Sequence, residues 1–196
     1  MKRHAFVKCL NMGTKWEKKL APIMENFIYS TKIKAMNYNN PIERGKQQQG
    51  IDGIGEIVEL CWESKTRTFN EKYYNVDILL ETVSVEHVGK PGWVYTSQAD
   101  VVSYCWETDN RQNLMPVGYL ILLKELRATK WFKTLLTYPE KRAHTEDKWS
   151  TLNRAIPILD FPPRTLYVFN PTMESTTYKQ VTLDRPDKLT SYFGGL

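Results

Sequence analysis

A chain of 196 residues with 41% hydrophobic and 25% charged content has the size and balance of one globular domain, which excludes a disordered or fibrous protein. Its longest apolar stretches, such as Val117 to Leu123, fall far short of the roughly 18 residues that span a bilayer, so no membrane association is expected. The net charge of +5 is uneven: residues 1–50 carry ten Lys or Arg against three Glu, leaving the remainder slightly acidic, and such a segment suits a phosphate-bearing partner or is simply a solvated lysine-rich helix face.

The basic N-terminal residues are interrupted by Lys8, Asn11 and Lys15 and lack the apolar run of a signal peptide. Cys9, Cys61 and Cys105 form neither a disulfide framework nor a CxxC zinc pair. A cytoplasmic protein is expected.

From Lys15 to Ser30 the spacing of Trp16, Leu20, Ile23, Phe27 and Ile28 predicts a helix, with Pro22 in an early turn or at a kink. The Asn-, Gly- and Gln-rich stretch up to Gly50 reads as an irregular or short helical approach. Residues 50–69 are dense in β-branched and aromatic side chains, and Gly53 and Gly55 suggest a bulge or tight turn in a first hairpin. Further strands are expected over Val76–Val83, Val94–Trp106 and Tyr119–Leu123, with a turn at Lys90–Trp93. Glu125 to Leu136 carries Leu126, Trp131, Leu135 and Leu136 at helical spacing, and the proline-rich tail from Ile156 reads as edge strands and loops. The order predicts a single α/β domain with a central mixed sheet flanked by helices.

Chemistry is concentrated in the first hairpin. Glu63 and Lys65 are two residues apart in a predicted strand, so they project from one face while Trp62 and Ser64 point the other way. Asp52 begins the same hairpin, and strand pairing at about 4.8 Å could set its carboxylate beside that of Glu63. Two carboxylates and a lysine suit phosphodiester hydrolysis, in which divalent ions held by acids activate water and offset the charge of the leaving oxygen.

The arrangement of Asp52 in GID with Glu63, Ser64 and Lys65 in WESKTR resembles the active-site signature of PD-(D/E)XK nucleases. The segment E-x-x-x-Q-x-Q-G-I-D from Glu43 to Asp52 looks like the upstream block of a phage and bacterial branch of that superfamily. Glu81 in LLETVS, Gly92 and Trp93, then Ala99 and Asp100 continue the pattern, which covers roughly residues 40–105. Ile51 departs from it, standing where the signature has its proline.

The resemblance implies a restriction-endonuclease-like core of helix, antiparallel strands, helix and strand, and DNA cleavage with Mg2+, or Mn2+ in its place. By the same resemblance Asp52 and Glu63 bind metal, Lys65 assists the attacking water, and Glu43 is a further acid near the metals. Gln47 and Gln49 line the site or contact substrate, and Glu81 is an accessory acid that ligates metal, holds Lys65 or only supports the fold. Lys15, Lys18, Lys19, Lys46 and Arg67 are the candidates for nucleic-acid contact, and a homodimer is an open alternative. The competing expectation is a nuclease fold that has lost catalysis and binds nucleic acid or a protein partner. Scattered His4, His87 and His144 support no zinc or nucleophile site. The six tryptophans read chiefly as core.

Overall fold

The computed structural model describes residues 14–24, 33–35, 41–51, 53–55, 61–108, 110, 112–144, 149–172 and 179–180. Residues 14–24 are helical (α1), and β1 (Ile33–Ala35), α2 (Pro41–Gln47) and β2 (Gly53–Gly55) precede β3 (Cys61–Thr68) and β4 (Asp77–Val85). Then follow β5 (Lys90–Pro91), the single helical turn α3 (Trp93–Thr96), β6 (Val101–Glu107), β7 (Leu114–Leu122) and α4 (Leu123–Ala128). The second half ends in β8 (Glu140–His144), β9 (Ser150–Pro157), β10 (Leu166–Phe169) and β11 (Lys179–Gln180). Among these residues no helix is long and apolar enough to cross a membrane.

The result is a mixed α/β domain with a central mixed sheet flanked by helices. That sheet has the order β1-β2-β3-β6-β7-β10-β11, in which β3 and β6 are parallel and the other pairs antiparallel. β6 lies at its centre and is buried at all seven positions, as expected of a strand covered on both faces. On one face Trp62, Val101, Cys105, Leu120 and Phe169 pack with Trp16, Leu20, Ile23 and Met24 of α1. On the other, Val102, Tyr104 and Trp106 join Tyr119, Ile121, Leu126 and Val168 and reach Ile78, Leu80 and Ile156.

Those last three belong to a second, fully antiparallel sheet of order β5-β4-β9-β8. The strand read at Val76–Val83 therefore does not extend the sheet that holds β3, and residues 150–157 form an internal strand ahead of the proline-rich tail. Two further expectations are corrected. Val94–Trp106 is not one strand: Gly92 caps α3, and only from Val101 does the chain extend. The helix read at Glu125–Leu136 breaks at Thr129, whose backbone is extended, and resumes as a 3-10 helix over Lys130–Thr137. Thr129 Oγ1 accepts a hydrogen bond from Phe132 N at 3.3 Å, a local capping that the apolar periodicity does not reveal. Of the tryptophans, Trp16, Trp62, Trp93 and Trp106 are buried and Trp149 is exposed.

Candidate active site

β3 holds the predicted pair as its alternation requires. Trp62 turns to the α1 side, donating from Nε1 to Ser103 Oγ at 2.9 Å, while Glu63 and Lys65 lie on the opposite face. Glu63 is buried at 6% exposure, and its Oε1 is ion-paired with Lys65 Nζ. Its other oxygen, Oε2, is buried with no hydrogen-bond partner among the described residues. A buried carboxylate oxygen without a donor is costly, and a bound cation is one of the few groups that offset the cost.

The pair stands in a cleft of about 300 Å³ whose lining includes Gln47, Gln49, Gly50, Lys65, Glu81 and Trp93. Several separate elements supply it. β3 gives Glu63 and Lys65, the end of α2 and the turn after it give Gln47 and Gln49, α3 gives Trp93, and β4 of the second sheet gives Glu81. Lys65 Nζ also sits 5.6 Å from the centre of the Trp93 ring, so its ammonium is held between a carboxylate and an aromatic face.

Glycines allow this approach. Gly50 has φ of 77°, and a Cβ there would lie 2.6 Å from Ser97 Oγ and 2.8 Å from Glu63 Oε2. The turn it occupies is tied to the α3–β6 connection by Gln98 N donating to Gln49 O at 2.8 Å. A Cβ on Gly92 would fall 2.1 Å from the Glu81 carbonyl oxygen, so α3 rests directly on the backbone of β4. Trp93 N then donates to Glu81 Oε1 at 3.4 Å.

Burial raises the pKa of Glu81 above the ordinary carboxylate range; Lys65, the Trp93 N–H and Ser84 oppose the shift, and the charge of Glu63 adds to it. Glu63 and Glu81 are thus within electrostatic reach of one another and of Lys65.

Of the predicted residues that the structure describes, Gln47, Gln49, Glu63, Lys65 and Glu81 line the cleft. Asp52 lies outside the described residues; its neighbours are the buried Ile51 and Gly53, which pairs with Trp62. Glu43 is half-buried in the first turn of α2 and does not line the cleft. Lys15, Lys18 and Lys19 are exposed on α1, across the central sheet from Glu63, and Lys15 Nζ donates to Gln112 O at 3.1 Å. Lys46 is half-buried at the end of α2, and Arg67 is paired with Asp77 at 2.6 Å. His4 and the side chain of His144 also fall outside the description, while His87 is exposed. Among the described residues no group of three or more His, Cys, Asp or Glu is placed to hold a metal ion.

Arg127 is the residue that sequence reasoning missed. Its guanidinium donates to three carbonyls of the α3 segment, Val94 O at 2.9 Å, Ser97 O at 2.7 Å and Trp93 O at 3.2 Å. Burial pulls its pKa below the usual guanidinium value, against the pull of the Glu63 charge, which places a second cation within reach of that carboxylate. Its partners lie about thirty residues away in sequence, where spacing along the chain does not reveal them.

No protein-family model, no curated protein and no solved structure matches this chain. The functional reading therefore rests on the chemistry of the cleft.

Proposed function

We propose that the protein is a metal-dependent nuclease of the PD-(D/E)XK type that hydrolyses phosphodiester bonds of DNA, with Asp52, Glu63 and Lys65 as its catalytic residues. The observation that carries the reading is the state of Glu63. One oxygen is neutralised by Lys65, and the other is buried, without a donor among the described residues, and lies where a Cβ on Gly50 would come within 2.8 Å of it. That donor set fits Mg2+ or Mn2+, which take carboxylate oxygens together with water and substrate phosphate.

The order of elements supports the assignment. Helix α1, the antiparallel pairs β1-β2 and β2-β3 with α2 between β1 and β2, then the single turn α3 and a strand β6 parallel to β3 are compatible with the restriction-endonuclease-like sequence of elements, with β4 and β5 inserted between β3 and α3. Asp52 adjoins Gly53, the partner of Trp62, one residue from Glu63 in the chain.

A bound divalent ion supplies Lewis acidity at the scissile phosphate and lowers the pKa of attacking water. Glu63, with Asp52, holds the ion. Lys65, 32% exposed beside the cleft, donates hydrogen bonds to a phosphate oxygen or to the incoming water. Glu81 and Trp93 hold the ammonium from the second side, and Gln47 and Gln49 present amide groups to the substrate.

The decisive experiment incubates purified protein with supercoiled, linear, branched and single-stranded DNA, with Mg2+, Mn2+ or chelator. Parallel calorimetric titrations of Mn2+ into the wild type and Glu63→Gln supply a readout besides turnover. Cleavage that requires metal, disappears in Asp52→Ala and falls steeply in Lys65→Ala is expected. Folded protein that binds DNA equally well with chelator and with Asp52→Ala, yet cleaves nothing, belongs instead to the inactive binding protein.

A further inference from the structure

Outside the cleft, the densest unexplained grouping surrounds Tyr73. Its ring has Lys72 Nζ at 5.3 Å, the Arg67 guanidinium at 5.4 Å and Lys141 Nζ at 5.8 Å from its centre. These cations come from three places in the fold: the turn after β3, β3 itself, and β8 in the second sheet. Only Arg67 has a carboxylate partner among the described residues, Asp77. Each cation gains a little from the ring, but mutual repulsion among them leaves excess positive charge around an aromatic face.

The turn is built to hold that ring in place. Tyr73 N and Tyr74 N both donate to Asn70 O, at 2.9 and 2.8 Å, and Lys72 N donates to Asn70 Oδ1 at 3.1 Å. Tyr74 anchors the turn from beneath, packing edge-on to Trp106 at 5.5 Å and accepting from Val117 N at 3.1 Å. Tyr73 is thus half-buried on a fixed support beside Lys72 and Lys141, both exposed.

Two routes lead from this ring to the cleft. Along β3, Glu63, Lys65 and Arg67 share one face, so Arg67 lies about 13 Å from Glu63 at the usual strand rise. Across the second sheet, Glu81 pairs with Asn153 and Asn153 with Lys141, which sets the three side chains on one face over about 10 Å. Either distance corresponds to about three or four stacked nucleotides.

We propose that Tyr73, Lys72, Arg67 and Lys141 form a docking platform for an unpaired nucleic-acid strand whose phosphodiester, three or four nucleotides away, enters the Glu63–Lys65 cleft. A base stacks on the Tyr73 ring, and the adjoining phosphates take the ammonium groups of Lys72 and Lys141. A single strand fits because a base offers its face to a protein ring only when its neighbour in the stack is displaced. This inference rests on the nuclease reading for what the cleft does, but the binding it describes needs no cleavage.

The test is fluorescence anisotropy of the full chain in chelator, with a labelled mixed-sequence single-stranded oligonucleotide and its duplex. The single strand is expected to bind more tightly. Tyr73→Ala should weaken its binding roughly tenfold, as loss of one stacked base does, while Tyr73→Trp retains it. Lys141→Glu, at an exposed position whose change leaves the fold intact, should weaken binding and reduce the slope of log affinity against log salt by about one or more. Unchanged affinity in both Tyr73→Ala and Lys141→Glu overturns the proposal, as does equal competition by an acidic peptide, which assigns the patch to a protein partner. Tyr73-dependent binding without any metal-dependent cleavage sinks the nuclease reading and leaves the platform standing. Cleavage and binding that both ignore Tyr73→Ala do the reverse.

Discussion

Lys65 neutralises only one oxygen of Glu63: its ammonium is paired with Oε1, while Oε2 remains buried without a hydrogen-bond donor among the described residues. The asymmetry separates the roles of the two side chains. Glu63→Gln replaces one acceptor oxygen by an NH2 group, and it should weaken Mn2+ binding measured by calorimetry and abolish detectable cleavage. Lys65→Ala removes the proton donor but keeps both acidic oxygens, so it should lower turnover on the order of 10²–10⁴-fold with metal binding retained. Equal metal affinity in wild type and Glu63→Gln would falsify the assignment of the ion to this carboxylate.

The two close glycines should fail differently. Gly50→Ala places a side chain at φ of 77° against Ser97 and Glu63, and a loss of about 1–3 kcal/mol in urea unfolding is expected together with impaired cleavage. Gly92→Ala meets a backbone carbonyl at 2.1 Å, which cannot rotate aside, so the larger loss of stability is expected there.

Arg127 can be tested by comparing alanine with lysine. Arg127→Ala leaves three carbonyls around α3 without their charged donor, and a destabilisation of roughly 2–4 kcal/mol is expected from thermal or urea denaturation. Lysine restores charge but cannot span three acceptors with a planar fork, so Arg127→Lys should recover only part of the loss.

Stability near Glu81 should depend on pH in a defined direction. Its pKa is raised in the folded protein, chiefly by burial, so its contribution is fully present at acidic pH below the unfolded value. It is lost as pH climbs through the folded value. Glu81→Gln should therefore raise Tm at neutral pH, with the gain shrinking as the solution is acidified below the ordinary carboxylate range. A gain independent of pH would mean that burial of the charge is not the cause.

The sequence made the local chemistry legible wherever it depended on alternation. The opposed faces of β3, with Trp62 inward and Glu63 and Lys65 on the cleft side, follow from period two, and the burial of Trp16, Leu20 and Ile23 follows from helical spacing. Phe27 and Ile28 of that predicted helix lie outside the described residues. What escaped depends on partners distant in the chain. Trp93, Val94, Tyr95 and Thr96 favour strand by composition, yet Gly92 before them and Arg127 beneath them hold one helical turn. Likewise the strand read at Val76–Val83 is present as Asp77–Val85, but whether it joins β3 or founds a second sheet is set by its pairing with β9, some seventy residues on.

The two acids of the cleft hang from different layers, Glu63 from the central sheet and Glu81 from the smaller one, and the apolar filling that joins those layers includes Ile78, Leu80, Tyr104 and Trp106. The gape of the mouth is therefore a property of the interior. An engineer wishing to admit a bulkier strand would gain little by lengthening surface loops, and should instead retune the volume of the side chains that keep the two layers apart.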